Sequence, residues 1–223
     1  PSQMTAHEQA ITLDVEADGE IVHLAGLYAP QTDRPPKGLV FLLHGWLGCI
    51  TSAYMIGRGS ALYDAGYDVF RLNFRDHGGT EALNEGFFHG CRLDEIFQAT
   101  KAVAKMAIHC PLYIIGFSMG GNFALRLANL HAERPIPQLE KVIAVCPSTD
   151  PEFATQVVDQ HLIYGRYFRR RWLNQLLAKE AAYPHLYQFS PYKKLDTCIT
   201  ITDAFIADYS DDFANATAYF QAY

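Results

Sequence analysis

Short runs of apolar residues alternate with segments of helical periodicity through the first two thirds of the chain. The predicted strands occupy residues 39–43, 69–74, 112–115 and 142–146, and the helical segments occupy 52–65, 93–103 and 122–130. The continuous apolar run at 39–43 is typical of a strand that is buried on both faces. The alternation therefore predicts a mostly parallel α/β sheet with right-handed crossovers, whose ligands bind at the carboxyl ends of the strands.

The two ends of the chain have different patterns. Alternating apolar residues on either side of Asp18-Gly19 predict an N-terminal antiparallel hairpin. The strand–helix alternation stops at Asp150, and residues 153–177 are mostly helical in pattern, with one strand-like alternation at 199–201. We therefore expect an α/β core over residues 1–150 and a helical region over residues 151–223.

Composition excludes several classes of protein. Apolar residues make up 49% of the chain and charged residues 19%, which is a globular composition. The 24 acidic and 18 basic residues give a net charge of −6, which argues against a nucleic-acid partner. The five cysteines are odd in number and lack CxxC spacing, so we expect no disulfide framework, no metal site and a reducing, cytoplasmic location.

The most informative motif is Gly116-Phe117-Ser118-Met119-Gly120, which fits the pattern G-x-S-x-G. A predicted strand leads into it and a predicted helix leads out, as a nucleophile elbow requires. Small residues at Gly116 and Gly120 let the strand and the helix approach closely while the Ser118 hydroxyl stays exposed. We therefore predict that Ser118 is a catalytic nucleophile rather than a buried serine in a plain βα turn.

A second glycine-containing loop, His44-Gly45-Trp46-Leu47-Gly48, follows the first predicted core strand. Acyl transfer needs two backbone N–H groups directed at the developing oxyanion. We predict that Met119 and Trp46 supply these groups, and that Gly45 lets the loop turn inward. The His44 side chain is expected to be a buried hydrogen-bonding residue that orients the loop without transferring a proton.

These motifs resemble the α/β-hydrolase family, and most closely its YheT-like branch of esterases. The resemblance covers roughly residues 20–223 and includes the segments 73–80, 88–90 and 116–121, a helical cap from Tyr167 onward and a return segment at 203–219. Cys49 stands where the branch often has serine, and Asp76-His77 replaces smaller residues. The resemblance implies a hydrolase of small-molecule acyl esters that needs no cofactor.

The family places its acid and its histidine after the serine in the chain. Only His131, His161 and His185 follow Ser118, and thirteen helical residues would hold His131 roughly 20 Å away. The family's histidine lies near the C-terminus, beyond the point that corresponds to Tyr223. We therefore expect the last two core strands, with the triad acid and histidine, to be missing from this chain. A site that uses His161 or His185, or a non-catalytic homologue, are the alternatives.

Other features leave several hypotheses open. Asp150 is either an alternative acid or, more simply, the cap of a helix that begins at Pro151. The arginines within residues 166–171 either attract an anionic lipid surface weakly or form a solvated helix face, with the buried side supplied by residues such as Tyr167 and Leu173. The Ser118 site would also serve an acyltransferase, a thioesterase or a binding protein. As a separate hypothesis, an open edge of the sheet could pair with a second copy of the chain.

Overall fold

A computed structural model describes residues 3–210 and 212–223 of the 223-residue chain. Within these residues, six strands form one sheet in the order β1-β2-β4-β3-β5-β6. The strands are β1 (Gln9–Ala17), β2 (Glu20–Ala29), β3 (Leu39–Leu43), β4 (Asp68–Leu72), β5 (Leu112–Phe117) and β6 (Leu139–Val145). The sequence-based prediction of a mostly parallel α/β sheet is confirmed, because β4, β3, β5 and β6 are parallel neighbours.

The predicted N-terminal hairpin is also confirmed. Strands β1 and β2 pair antiparallel with Ala17 opposite Glu20, and the turn between them is Asp18-Gly19, both with positive φ. Two consecutive residues with positive φ give the hairpin turn whose twist matches that of its strands. Strand β2 then runs antiparallel to β4 and joins the hairpin to the parallel sheet.

Helices connect the strands and make up the C-terminal part of the chain. They are α1 (Gln3–Ala6), α2 (Ala53–Asp64), α3 (Leu93–Ala104), α4 (Met119–His131), α5 (Pro151–Gln160), α6 (Leu162–Ala182), α7 (Cys198–Tyr209) and α8 (Ala216–Ala222). A 3₁₀ helix, Ser190–Lys194, lies between α6 and α7. Asp150 caps α5 by accepting a hydrogen bond from the N–H of Phe153, as the simpler interpretation of this residue predicts.

The strand-like pattern at residues 199–201 is a wrong prediction, because these residues lie in α7. Thr197 caps this helix with a reciprocal capping box, and Cys198 and Ile201 are buried on the same face. A capping box satisfies N–H groups that an isolated helix leaves unpaired. Here the cap and the buried face outweigh the β preference of Ile and Thr.

The chain divides into two compact units. The first comprises residues up to Phe88 together with Arg92–Pro147 and contains the whole sheet, and the second comprises His89–Cys91 and Ser148–Tyr223. In the first unit every residue of β3 and β4 is buried, so the middle of the sheet forms the core. The described residues of the second unit form helices and loops only.

Strand β6 is the edge of the sheet and pairs only with β5. Its Ile143 and Val145 side chains are partly exposed, in contrast to the fully buried β3. The unpaired N–H and C=O groups of such an edge are available to another strand. Among the helices of the described residues, none has the length and apolar character needed to cross a bilayer.

Candidate active site

Ser118 occupies the corner between β5 and α4. It is the N-cap of α4, its backbone has φ 52° and ψ −115°, and its side chain is exposed. The Ser118 N–H donates to the carbonyl of Val145 at 2.9 Å, and its carbonyl accepts from the N–H of Asn122 at 3.0 Å. These two bonds hold a non-glycine residue in a left-handed conformation that costs about 1–3 kcal/mol.

The helix starts earlier than its apolar pattern suggests. Sequence periodicity predicts α4 from about residue 122, but the helix begins at Met119, immediately after Ser118. Gly120 permits this start, because a Cβ atom there would lie 2.4 Å from the carbonyl oxygen of Leu43 and 2.5 Å from that of His44. The first turn of α4 therefore packs directly against the end of β3.

The loop from His44 to Gly48 lies beside Ser118. A Cβ atom on Gly45 would be 3.3 Å from Cβ of Ser118, so the backbone of this loop reaches the serine itself. The Gly45 carbonyl accepts the Gly48 N–H at 2.9 Å, which closes a turn, and Leu47 within that turn has φ 57°. The structure thus brings together the two segments that the sequence singles out, with Trp46 inside the turn and Met119 at the first position of α4.

The His44 imidazole is fully buried and fixes this loop to its neighbour. Its Nε2 accepts the N–H of Phe74 at 3.2 Å, so Nδ1 carries the proton and donates to the Gly45 carbonyl at 2.7 Å. Burial, together with the nearby His77, holds the pKa of His44 well below its usual range. A neutral imidazole with both nitrogens bonded to backbone groups thus links the loop to Phe74, in the segment after β4.

Tyr54 on α2 is a residue of the site that the sequence did not reveal. Its hydroxyl accepts the N–H of Gly45 at 2.9 Å, and its ring packs edge-on against Phe117 with 5.1 Å between centroids. The Tyr54 hydroxyl therefore fixes the backbone that leads into Trp46, the residue that the sequence analysis predicts as an oxyanion donor. No local signal marks Tyr54, because its position on an amphipathic helix predicts only a side chain at the sheet surface.

Cys49 lies at the end of the same loop. Its N–H donates to the Ser52 hydroxyl at 2.9 Å, and its sulfur lies 3.1 Å from the Thr51 hydroxyl. Burial opposes ionisation, but the hydrogen bonds from Thr51 and Ser52 outweigh it, and the pKa of the Cys49 thiol is lowered. A polarised thiol therefore lies at the end of this loop.

The segment 73–80 after β4 contains a buried ion pair. Arg75 and Glu95 are both fully buried and lie 2.8 Å apart, and Arg75 also contacts the carboxylate of Glu20 at 2.7 Å. Asp76, with φ 59°, accepts the N–H of Phe88 at 2.7 Å. Asp76 thus holds a loop in place, and the described residues contain no cluster of His, Cys, Asp and Glu suited to a metal ion.

Within its own unit, none of the described residues forms a hydrogen bond with the Ser118 hydroxyl. His131 ends α4, and its Nδ1 accepts the N–H of Ile136 at 2.9 Å, far along the helix from its N-cap. In the second unit, His161 caps α6 by accepting the N–H of Tyr164 at 3.3 Å.

Comparison with known proteins assigns the family. A family model described as the alpha/beta hydrolase fold matches residues 38–218, which is most of the chain. The chain belongs to the alpha/beta hydrolase fold family. The match includes the Ser118 corner, the loop at Gly45 and helices α5, α6 and α7 of the second unit. The α/β-hydrolase fold that the sequence motifs led us to expect is therefore confirmed.

Solved structures resemble this alpha/beta hydrolase over part of their length. Est1E from Butyrivibrio proteoclasticus, solved with ferulic acid bound, is 21% identical with a TM-score of 0.51, covering 65% of this chain and 56% of Est1E. A protein from Agrobacterium vitis S4 is 20% identical with a TM-score of 0.52, covering 70% of this chain and 57% of that one. These likenesses show the fold, and the chain spans a little over half of each relative. No curated protein sequence matches it.

Proposed function

We propose that this chain carries the nucleophile and the oxyanion-binding amides of a serine hydrolase that cleaves carboxylic esters. The observation on which the proposal rests is the exposed, left-handed Ser118 between β5 and α4, with the Gly45 loop against it. A serine in this setting has its hydroxyl clear of both the strand and the helix. A purely structural turn would place glycine at such a φ at no cost.

The reaction proceeds through an acyl-enzyme. The Ser118 oxygen bonds to the carbonyl carbon of the ester while its proton passes to a general base. The bond to the alkoxide oxygen then breaks, and the alkoxide leaves as the alcohol after taking the proton from the base. Water attacks the acyl-enzyme in the same way, releasing the carboxylic acid and restoring the serine.

The N–H groups of Met119 and Trp46 stabilise the negative charge on the substrate oxygen. Met119 is the first residue of α4, so its N–H has no acceptor within the helix. This N–H lies at the positive end of the helix dipole. Trp46 lies in the turn held by His44 and Tyr54. Removing one such donor lowers kcat by about 10²–10³ in serine hydrolases, which is the contribution we assign to each amide.

The base and the acid of the triad belong, in this proposal, to residues outside this chain, as in the YheT-like branch of esterases. Residues 1–150 are the catalytic core and residues 151–223 the helical cap. Loss of triad members lowers kcat by about 10⁴–10⁶. The 223-residue chain by itself is therefore expected to be nearly inactive, whereas the protein from the complete reading frame hydrolyses acyl esters.

Hydrolysis of p-nitrophenyl butyrate and labelling by a fluorophosphonate probe test the proposal. Both are measured on the protein from the complete reading frame, on the 223-residue chain, and on Ser118→Ala in each. Ser60→Ala on α2 is the matched control. We expect Ser118→Ala in the complete protein to abolish labelling and to lower kcat by about 10⁴ or more, with Ser60→Ala unchanged.

The other outcomes contradict specific parts of the proposal. A complete protein that neither reacts with the probe nor turns over ester is a binding protein on this fold. Full turnover by the 223-residue chain that is lost in His161→Ala or His185→Ala places the base inside this chain. Turnover that requires an acceptor alcohol or a thioester would assign an acyltransferase or a thioesterase to the same serine.

A further inference from the structure

The corner between α5 and α6 exposes an unusual number of large apolar side chains. Helix α5 ends at Gln160, His161 is extended with φ −89° and ψ 111°, and α6 begins at Leu162. At this corner Leu162 is 67% exposed, Ile163 71% and Tyr164 58%. Single exposed apolar residues are ordinary, but three in succession at a helix start mark an interaction surface.

Further apolar side chains continue this surface along both helices. Phe153 and Val157 on α5 are one helical turn apart, and Tyr167 on α6 is one turn from Ile163 and from Tyr164. All three are about half exposed or more. Tyr167 is thus a correction to the sequence-based prediction, which placed it on the buried side of α6 with Leu173. Leu173 lies on the buried side of α6, together with Gly165.

The same face of α6 carries positive charge. Arg166, Arg170 and Arg171 are exposed and lie within two turns of Ile163 and Tyr167 on the helix. The Arg171 guanidinium donates to the Tyr167 hydroxyl at 2.9 Å. No acidic residue occurs from position 160 to 179, although the chain as a whole has a net charge of −6. We define the exposed apolar and arginine side chains of residues 153–171 as the corner surface.

Arg169 is not part of the corner surface, because its guanidinium is used within the unit. It donates to the carbonyls of Leu195 and Lys193, the latter at 2.8 Å. These two hydrogen bonds explain why Arg169, unlike Arg166, Arg170 and Arg171, turns inward. Arg166 and Arg170 are exposed and lie on the corner surface.

We propose that the corner surface docks this protein onto an anionic lipid surface. Leu162 and Ile163 enter the boundary between head groups and acyl chains, Tyr164 lies at head-group level, and the arginines bind lipid phosphates. Charge complementarity selects this occupant. A symmetric contact with a second copy would bring like charges together, and a nucleic acid would offer no apolar environment to the exposed Leu162 and Ile163. The proposal is independent of Ser118.

Vesicle flotation tests the proposal with the 223-residue chain. Phosphatidylcholine vesicles with and without about 30% phosphatidylglycerol are compared at about 0.1 M salt. We expect binding to the anionic vesicles only, and its loss when the salt concentration rises to about 0.5 M. Equal binding to both vesicle types, or binding to neither, overturns the proposal.

Variants locate the contact. Arg166→Glu with Arg170→Glu is expected to lower the partition coefficient at least about 30-fold, and Ile163→Asp about tenfold or more. The matched controls are Arg58→Glu on α2 and Ile108→Asp, where Ile108 is 69% exposed. Circular dichroism confirms that each variant is folded.

Two results with these variants would overturn the assignment. If the control variants weaken flotation as much as the corner variants do, the attraction is not located at the corner surface. If sedimentation velocity shows a dimer that Ile163→Asp dissociates, without vesicle binding, the corner surface is an interface between copies of this chain.

Discussion

A Cβ atom placed on Gly116 would lie 2.0 Å from the carbonyl oxygen of Gly120 and 2.4 Å from its carbonyl carbon. Strand β5 and helix α4 therefore cross at a distance that only glycine permits. We expect Gly116→Ala to lower the free energy of unfolding by about 3 kcal/mol or more, because neither backbone can withdraw. Urea denaturation measures this. Gly57→Ala on α2, where a Cβ has nothing within 4 Å, should stabilise the protein by about 1 kcal/mol.

The backbone of Ser118 stores strain that glycine would release. We expect Ser118→Gly to raise the free energy of unfolding by about 1 kcal/mol, whereas Ser118→Ala leaves it unchanged because alanine retains the Cβ. Thermal denaturation of both variants tests this. Ser60→Gly within α2 is the control and should lose about 0.5 kcal/mol. Equal stabilities of Ser118→Gly and Ser118→Ala would show that φ 52° is not strained here.

Tyr54 positions the loop through a hydrogen bond from the Gly45 N–H to its hydroxyl. Tyr54→Phe keeps the ring against Phe117 but leaves that N–H without its acceptor. We expect a loss of about 1–2 kcal/mol in the free energy of unfolding. If the proposed oxyanion role of Trp46 is correct, kcat of the complete protein falls more than KM changes. Tyr113→Phe on β5 is the control, and an equal effect there would argue against a specific role of Tyr54.

Glu95 links stability to pH. Burial raises the pKa of Glu95 to about 7 from the ordinary 4.5, although Arg75 and Arg92 oppose the shift. Between pH 4.5 and about pH 7, Glu95 binds a proton in the folded protein but not in the unfolded chain. The contribution of Glu95 to stability is thus fully present below about pH 4.5, and it is lost as the pH rises through about 7.

The variant Glu95→Gln isolates this contribution. Urea denaturation between pH 5 and 8 should show that the variant lacks the decrease, while Glu140→Gln at the exposed sheet edge retains it. An identical pH dependence in the Glu95→Gln variant and in the unmodified protein would show that Glu95 is already ionised throughout this range.

His44 has the opposite effect on the pH dependence. Its pKa in the folded protein is well below the ordinary value of 6.5, so below that pH only the unfolded chain takes up the proton. Stability from this group is present above about pH 6.5 and falls by about 1.4 kcal/mol for each unit below it. His44→Gln, which keeps an acceptor for the Phe74 N–H, should remove this slope, and the exposed His185→Gln should not. Denaturation of both variants between pH 5 and 7 distinguishes them, and an unchanged slope in His44→Gln refutes the assignment.

Several features of the site could be predicted because they depend on neighbours in the sequence. The turn at Asp18-Gly19, the apolar runs of β3 and β5, and the serine between Gly116 and Gly120 are all readable from local patterns. At residues 199–201 the Thr197 capping box and the buried helix face outweighed the β preference, so the predicted strand was wrong. At Tyr167 the local pattern did not show which face of α6 is covered, so the predicted burial was wrong.

The sequence alone determined the order of strands and helices, the glycines that allow β5 and α4 to cross, and the position of the candidate nucleophile. These are properties of hydrophobic periodicity and backbone sterics, which act over a few residues. Only the tertiary structure decided that Tyr54 holds the Gly45 loop, that Arg75 meets Glu95 in the core, and that the arginines of α6 share a face with exposed apolar residues. Those relationships join residues on different elements or depend on which helix face is covered, and no local pattern specifies them.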